Sequence, residues 1–586
     1  VSYSENQQSK QQEADALDLV LRCLKKSEKS QPKKQQAYRD RYRSYRGVLE
    51  VQDNEWESQL SPPYTFQIVE TIFSMISAEH PRARVIPSGE KDIDGARAIE
   101  KLLNIQRAKD NFNEKYAVWV KQGLVMGASP AKISWAYEHG ERRMRRFIPL
   151  GDGRFQEVIQ SEPVTMMNQP TFTPLDINDF LYDPSVSRIR DASYVIGRFW
   201  ESYESLKQDG GEGGIYKNVD QLKEPGNRNQ SRDLLDNYIM RDRAGLVEVL
   251  EFWTAERLIV VANRQVVIRD QPNPYTHGKL PFVMATPVPD LYSMEGLSEV
   301  DLLMDVQAAI WSFLNQRLDN TRLISNGIVM VRDTIDDVSK LVFSPRAVWP
   351  VADPAEVQMW TPNHNITQSS LEAEHSLKED LMSISAAIPV LAGASPDLVD
   401  QKTATGMNIL SNNAMNRVLA KRQNYFDCLR EVGRQSIQLN QQLWRGPIEI
   451  PVIDGRTNEW SFQTVTAQQI VCECDYDIEE TTESLNRQER RQEALLLFDQ
   501  FVQAAPALQM WGLAIDPLPM LEKLGDAFDI KNIETWIKPS PLPPMPPPGS
   551  GGGGPPPPGA GPPPPGVGPP PPPPPGGGAP PSAPGY

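Results

Sequence analysis

The stretch TATGMNILSNNAMNRVLAKRQNYFDCLREVGRQSIQLNQQLW, residues 403–444, decides how the chain is read. It contains no proline, and Met407, Leu410, Ala414, Val418, Tyr425, Leu429, Val432 and Leu443 fall on one helical face. At 1.5 Å per residue such a helix spans about 60 Å, longer than a globular domain normally holds. An apolar stripe of that length needs tertiary packing or a neighbouring subunit to cover it. Gly433, inside the stretch, is a candidate kink.

Reading outward toward the N-terminus, GLSEVDLLMDVQAAIWSFLNQRLDN (296–320) predicts a second long helix. Ser298 is placed to cap it, and Val300, Leu303, Met304, Gln307, Ile310, Trp311, Leu314 and Leu318 share one face through about Leu323. Gly327–Val331 and Leu341–Val351 read as strands around an acidic turn bearing Asp333, Asp336 and Asp337. A helix over Ser369–Ala387 ends before Pro389, and Val390–Lys402 reads as a loop. After residue 444 come strands within 446–475, an acidic helix over Glu480–Ala504, and shorter helices near Pro519–Phe528 and Ile530–Ile537.

Before residue 296 the pattern changes twice. Helical periodicity marks Tyr64 to about Ala78 and a pair between Asp94 and Met126, with Gly123 and Gly127 read as bracketing a turn. Val85–Pro87 and Lys132–Tyr137 read as strands. Residues 141–290 are strand-rich, as in Val195–Trp200, Val247–Trp253, Leu258–Ala262 and Val266–Ile268, with turns at Gly151–Gly153, Asp183-Pro184 and Pro272–Pro274. Gly210–Gly214 is a loop without the strand–turn–helix setting of a dinucleotide site.

Composition narrows the function classes. The net charge is −16, with 60 Lys and Arg against 76 Asp and Glu. Such a chain is a poor candidate for tight, nonspecific DNA binding, which needs cations on phosphates. One segment is basic: Lys25 to Arg46 holds nine positive and two negative side chains, with Tyr38, Tyr42 and Tyr45 at helical spacing. An amphipathic helix whose tyrosines pack on the body is favoured there over a nucleic-acid patch. No apolar run approaches a membrane span, and the N-terminal stretch lacks the apolar core of a secretory signal. Four cysteines make no disulfide framework and suit a reducing cytoplasm. Residues 539–586 carry no charge but hold 25 of the 53 prolines and 13 of the 38 glycines, so they form a discrete low-complexity tail.

No catalytic signature stands out. There is no phosphate loop, His-Glu-x-x-His or Gly-x-Ser-x-Gly motif. His80, His139, His277, His364 and His375 are scattered singly. Cys472 and Cys474 lack the second pair a zinc site requires, and they read as alternating strand positions. Asp336-Asp337 and Glu479-Glu480 have the pairing of Mg²⁺ ligands, but a solvated turn or helix start is the favoured reading. Arg142, Arg143, Arg145 and Arg146 form a basic run read as a solvated face, with phosphate or an acidic neighbouring subunit as the alternatives. No catalytic, cofactor or metal residue is therefore expected.

The order of these segments resembles the portal family of tailed bacteriophages. PPYTFQIVETIFSMISAEHPRARVIP, QGLVMGASPAKISW, TPLDINDFLYDPSVSRIRDASYVIGRFW, THGKLPFV, the 296–320 helix and KTATGMNIL carry the resemblance, over about residues 60–445. It implies an α+β, mainly helical portal-type fold with wing, stem, clip and crown regions and small β-rich segments; the disordered Pro/Gly-rich tail is read from composition and is no mark of the family. On this chain the wing falls at 1–295 (helical 60–126, strand-rich 130–290) and the stem helices at 296–325 and 366–387. The clip is 326–365 and the tunnel loop 388–402. A long kinked wing helix with return strands covers 403–479, the crown 480–538 and the tail 539–586.

The resemblance implies a ring, usually of twelve subunits, at the capsid vertex of the virion, assembled in the host cytoplasm. Double-stranded DNA passes through it as a weakly held passenger. The implied partners are the terminase large subunit, a head–tail adaptor, and the major capsid and scaffolding proteins, with no membrane and no cofactor. The tunnel loop puts Asp397, Asp400, Gln401 and Lys402 beside DNA, with Lys402 a weak, reversible phosphate contact. The clip puts Asp333, Asp336, Asp337, Lys340 and Arg346 toward partner proteins. Two other readings are an intracellular scaffold recruiting partners through the proline tail and a metal-dependent DNA-processing enzyme using the acidic pairs.

Overall fold

The computed structural model describes residues 3–49, 57–77, 81–149, 155–210, 214–222, 245–326, 328–332, 357–360, 365–385, 404–453 and 460–479, with short stretches or single residues at 353, 355, 491, 494–501, 503, 521 and 524–525. Helices α1 (Tyr3–Glu28), α2 (Gln31–Arg46) and α3 (Tyr64–Ser77) precede strand β1 (Arg82–Pro87) and helices α4 (Ile93–Lys109) and α5 (Phe112–Met126). Strands β2 (Ser129–Pro149), β3 (Phe155–Pro174), β4 (Phe180–Tyr182) and β5 (Val195–Ser202) follow, then a short α6 (Tyr203–Asp209). Strands β6 (Leu246–Trp253), β7 (Arg257–Ala262), β8 (Val266–Pro272) and β9 (Phe282–Ala285) complete the strand-rich part. After it come α7 (Glu299–Asn326), β10 (Ile328–Val331), β11 (Val357–Trp360), α8 (Asn365–Ser385), α9 (Ala404–Leu443), β12 (Ile448–Ile453), β13 (Trp460–Val465) and β14 (Cys474–Glu479). The architecture is α+β.

Strands β4-β5-β6-β7-β8 form one antiparallel sheet in that order. Its strands are apolar on both faces, which is why VLEFW and LIVVA read as continuous runs rather than alternations. Val249, Trp253, Leu258 and Val260 face one core, and Leu250, Phe252, Ile259 and Val261 face another. Helix α1 closes the second face with Ala16, Val20 and Leu24, four residues apart and buried. The charged N-terminal stretch is therefore a lid for the sheet.

The basic segment packs as the amphipathic reading expects. Tyr38 and Tyr45 of α2 are buried, while Lys26, Lys34 and Arg41 pair with Asp183, Glu295 and Asp301 at 2.8, 2.7 and 2.7 Å. Ser27 of α1 donates to the Tyr182 carbonyl at 2.8 Å. Burial opposes the charge on Asp183, but hydrogen bonds from Lys26 and from Ser185 outweigh it and bring the carboxyl down to about 2.

The largest core lies around α9. Trp119 of α5 meets Tyr425 edge-on at 5.3 Å, and Tyr425 donates to the Val120 carbonyl at 3.0 Å. A Cβ at Gly123 would collide with the Tyr425 hydroxyl. Gly123 thus lies inside α5 and serves a close approach, correcting its reading as a turn residue; Gly127, with φ +85°, does end the helix. Further along, Tyr476 of β14 fills the space a side chain at Gly433 would take, and α9 is one helix through that position. Close packing against Tyr476 accounts for a glycine at position 433.

Strand β14 pairs with β1, joining Arg82–Pro87 to Cys474–Glu479. Cys474 opens that strand, whereas Cys472 lies before it and packs against Gly95. The two thiols are thus not alternating strand positions, because the chain turns through 466–473 before entering β14. Strand β10 pairs with Val357–Trp360, and the strand expected at Leu341–Val351 lies outside the described residues. Most of the helix expected over 480–504, most of the residues near 519–537, and the tail 539–586 also lie outside the described residues.

Gly433→Ala should overpack the Tyr476 contact and destabilise the fold by about 1–3 kcal/mol. Urea denaturation monitored by far-UV circular dichroism checks this, and an unchanged midpoint would contradict the packing account.

Candidate functional site

Helix α7 begins with a reciprocal cap. The Asp301 amide donates to Ser298 Oγ at 2.9 Å, and the Ser298 amide donates to Asp301 Oδ2 at 3.0 Å. Arg41 bonds the other Asp301 oxygen at 2.7 Å, tying α2 to this start. Glu295, just upstream, accepts from Lys34, Tyr38 and Tyr182 at 2.7, 2.7 and 2.8 Å. Glu299 is fully buried, and Lys421 of α9 lies 2.5 Å from it. A buried carboxylate needs such a partner, and the helix N-terminus adds favourable potential.

Along α7 runs a ladder of polar side chains four residues apart. Gln307 Oε1 accepts from the Thr65 amide at 2.8 Å. Trp311 Nε1 donates to the Pro62 carbonyl at 2.8 Å. Asn315 accepts from the Leu60 amide at 2.8 Å and donates to the Leu60 carbonyl at 3.0 Å. Asp319 accepts from the Ser58 amide at 2.9 Å. Four-residue spacing keeps these side chains on one helical face, so residues 58–63, with the first turn of α3, form a strap running opposite to α7. Gln307 also donates to the Ser44 carbonyl at 2.9 Å. It thereby serves an N-terminal amide of α3 and a C-terminal carbonyl of α2, groups that helices leave unpaired.

The β10–β11 pairing brings the end of α7 beside the start of α8. Glu374 of α8 is nearly buried and pairs with both Arg317 of α7 and Lys378, the latter at 2.6 Å. Burial works against its charge, yet Lys378 and Arg317 together hold the carboxyl below its ordinary value. At its far end α8 meets α9, where Arg417 donates to the Ser383 and Ile384 carbonyls at 3.2 and 2.7 Å. These are C-terminal carbonyls without helical partners, so an arginine from α9 caps α8.

All nine residues expected to face DNA or partner proteins lie outside the described residues. Asp333, Asp336, Asp337, Lys340 and Arg346 fall in the connection between β10 and β11. Asp397, Asp400, Gln401 and Lys402 fall between α8 and α9. The side chains that organise the flanking helices were not singled out in the sequence. Gln307 and Trp311 were placed on the apolar face, and the continuation of their four-residue step to Asn315 and Asp319 is the signal that reveals the ladder. The four-residue spacing of Glu374 and Lys378 is a second such signal. Among the described residues no three His, Cys, Asp or Glu side chains are grouped to hold a metal ion, and no helix is long and apolar enough to cross a membrane.

The site is thus a capped long helix with a strap along its length, a second helix joined to it through a β-ribbon, and a still longer helix that contacts both. A family model described as the phage SU10 portal protein matches residues 17–550, and the chain belongs to that family.

Gln307→Leu should leave the Thr65 amide without its acceptor and destabilise the fold by about 1–3 kcal/mol in urea titrations; an unaltered midpoint would remove the strap from the stability account. Glu374 contributes stability above its unfolded value near ~4.3, and that contribution is lost as pH falls through its depressed folded value. Denaturation midpoints compared at pH 5 and pH 3.5 should therefore show a smaller acid loss in Glu374→Gln than in the unmodified chain.

Proposed function

We propose that copies of this chain form a ring, with twelve the expected number, at one capsid vertex, and that DNA enters and leaves the head through its centre. Membership of the portal family over residues 17–550 is the observation that carries this reading. In it, α7 and α8 are the stem, residues 326–365 the clip, 388–402 the tunnel loop and 480–538 the crown. The wing comprises 1–295 together with α9 and its return strands through 479. The terminase large subunit and the head–tail adaptor dock at the clip, and the capsid and scaffolding proteins surround the wing.

The charge pattern supports a passenger role for DNA. The net charge of −16 is repeated in every subunit, and Lys26, Lys34 and Arg41 of the basic N-terminal segment are engaged by carboxylates of the same chain. A lumen of that balance repels duplex DNA and limits sticking. Lys402 is the residue we assign to a weak, reversible phosphate contact.

Negative-stain micrographs of the purified protein should show rings with a central hole, and monomers under all conditions would overturn the reading. Lys402→Glu should alter DNA packaging or retention while leaving rings intact, and unchanged packaging and retention would remove Lys402 from the DNA path.

A further inference from the structure

Strands β2 and β3 pair over nineteen rungs, from Ala131↔Pro174 to Pro149↔Phe155. Only the base of this hairpin belongs to the body. Ser129–Lys132 pair with β9, and Ile133 and Phe172 enter the main core. From Tyr137 onward no third strand among the described residues pairs with β2 or β3. No described residue from Tyr137 to Arg146 or from Val158 to Asn168 is buried. At 3.4 Å per residue the ribbon extends about 40 Å beyond Tyr137. A two-stranded hairpin is marginal on its own in water, and this one displays Tyr137, Ile159, Val164 and Met166 at 60, 64, 37 and 70% exposure.

We propose that this ribbon is an inter-subunit arm that lies on the neighbouring copy of the same chain. The inference rests on the ring reading above and assigns one of its contacts. Charge selects the occupant. Residues 137–168 contain five basic and five acidic side chains, so the ribbon is neutral and the remainder of the chain carries the whole −16. Within the ribbon, Arg142, Arg143, Arg145 and Arg146 lie within five residues without an intervening acid; Arg146 pairs with Glu162 of the facing strand at 2.5 Å, and Arg142 and Arg143 are exposed. This local cationic stretch complements the acidic body of a second copy, and the exposed apolar side chains supply area to bury. Duplex DNA fits less well, because phosphates gain nothing from the ribbon's exposed apolar side chains. In a heterologous ring each subunit gives an arm and receives one, so no copy is left with the ribbon bare.

Two variants test this. The first replaces Gly140–Val164 with an Asn-Gly turn joining His139 to Thr165, which are cross-strand partners. The second is the double substitution Arg142→Glu, Arg143→Glu, at two exposed positions. Ring fraction against protomer concentration is read by native mass spectrometry, beside protomer melting and duplex DNA binding. The shortened chain should stay folded and lose its rings. The double variant should melt as the parent does and need at least about tenfold more protomer for half-assembly. Should the shortened chain misfold, the double variant decides. Both variants assembling like the parent would overturn the arm. Rings retained with weaker DNA binding would assign the ribbon to nucleic acid, and rings retained but unable to seat in a capsid shell would assign it to the shell; either overturns the proposal. A parent that forms no rings at any concentration sinks the ring reading, and this inference with it.

Discussion

The 40-residue helix α9 imposes the main constraint on this structure. A helix of that length cannot bury its own apolar stripe, so other elements must be brought to it in turn. Each arrives with its own chemistry. Helix α5 brings Trp119 and makes room for Tyr425 at Gly123, and β14 sets Tyr476 over Gly433. The start of α7 contributes Glu299 to Lys421, and the end of α8 is capped by Arg417. Two glycines and two cations thus fix where four elements sit. The segment between α8 and α9 starts and ends on elements anchored to the same body.

Charge in the N-terminal third is mostly internal wiring. A net positive stretch in an acidic chain invites a nucleic-acid reading, yet Lys26, Lys34 and Arg41 reach carboxylates far along the sequence. The same logic continues in the sheet, where Arg198 and Arg264 share Glu28 and Glu248 at 2.8–3.1 Å. These partly buried pairs hold α1 and α2 against the sheet and the start of α7. Attraction for phosphate is correspondingly reduced, in keeping with the passenger role proposed for DNA.

Much of the fold was legible because periodicity is a one-dimensional signal. Helices α7, α8 and α9, the α4–α5 pair and the strands of the five-stranded sheet follow from apolar spacing, and Ser298 announced its cap. What stayed hidden depends on distant partners. The role of α1 was invisible because Ala16, Val20 and Leu24 are sparse among charges, and only the sheet beneath explains them. Gly123 reads as a turn residue, and the packing role of Gly433 stays hidden, because a glycine's neighbour in space is not written beside it. The ladder on α7 was obscured because Gln307 and Trp311 also sit on a largely apolar face. The candidate DNA- and partner-facing residues rest on family resemblance, since loops that meet other molecules carry no periodicity to read.

The pairing of β1 with β14 has a consequence for how the chain is made. Residues 82–87 leave the ribosome early, whereas their partners at 474–479 follow most of the chain. Until then β1 keeps an open edge, a template for mispairing, and the ring of Tyr476 is missing from Gly433. Closing so long a loop is slow and comes late. The main core around α9 is therefore completed only after residue 479 has been made, and a chain cut before residue 474 lacks the strand that seals it. Such a fold makes completeness a condition of assembly: a fragment ending before residue 474 would bring an unfinished body to its neighbours, and in a closed ring a single such subunit spoils two interfaces.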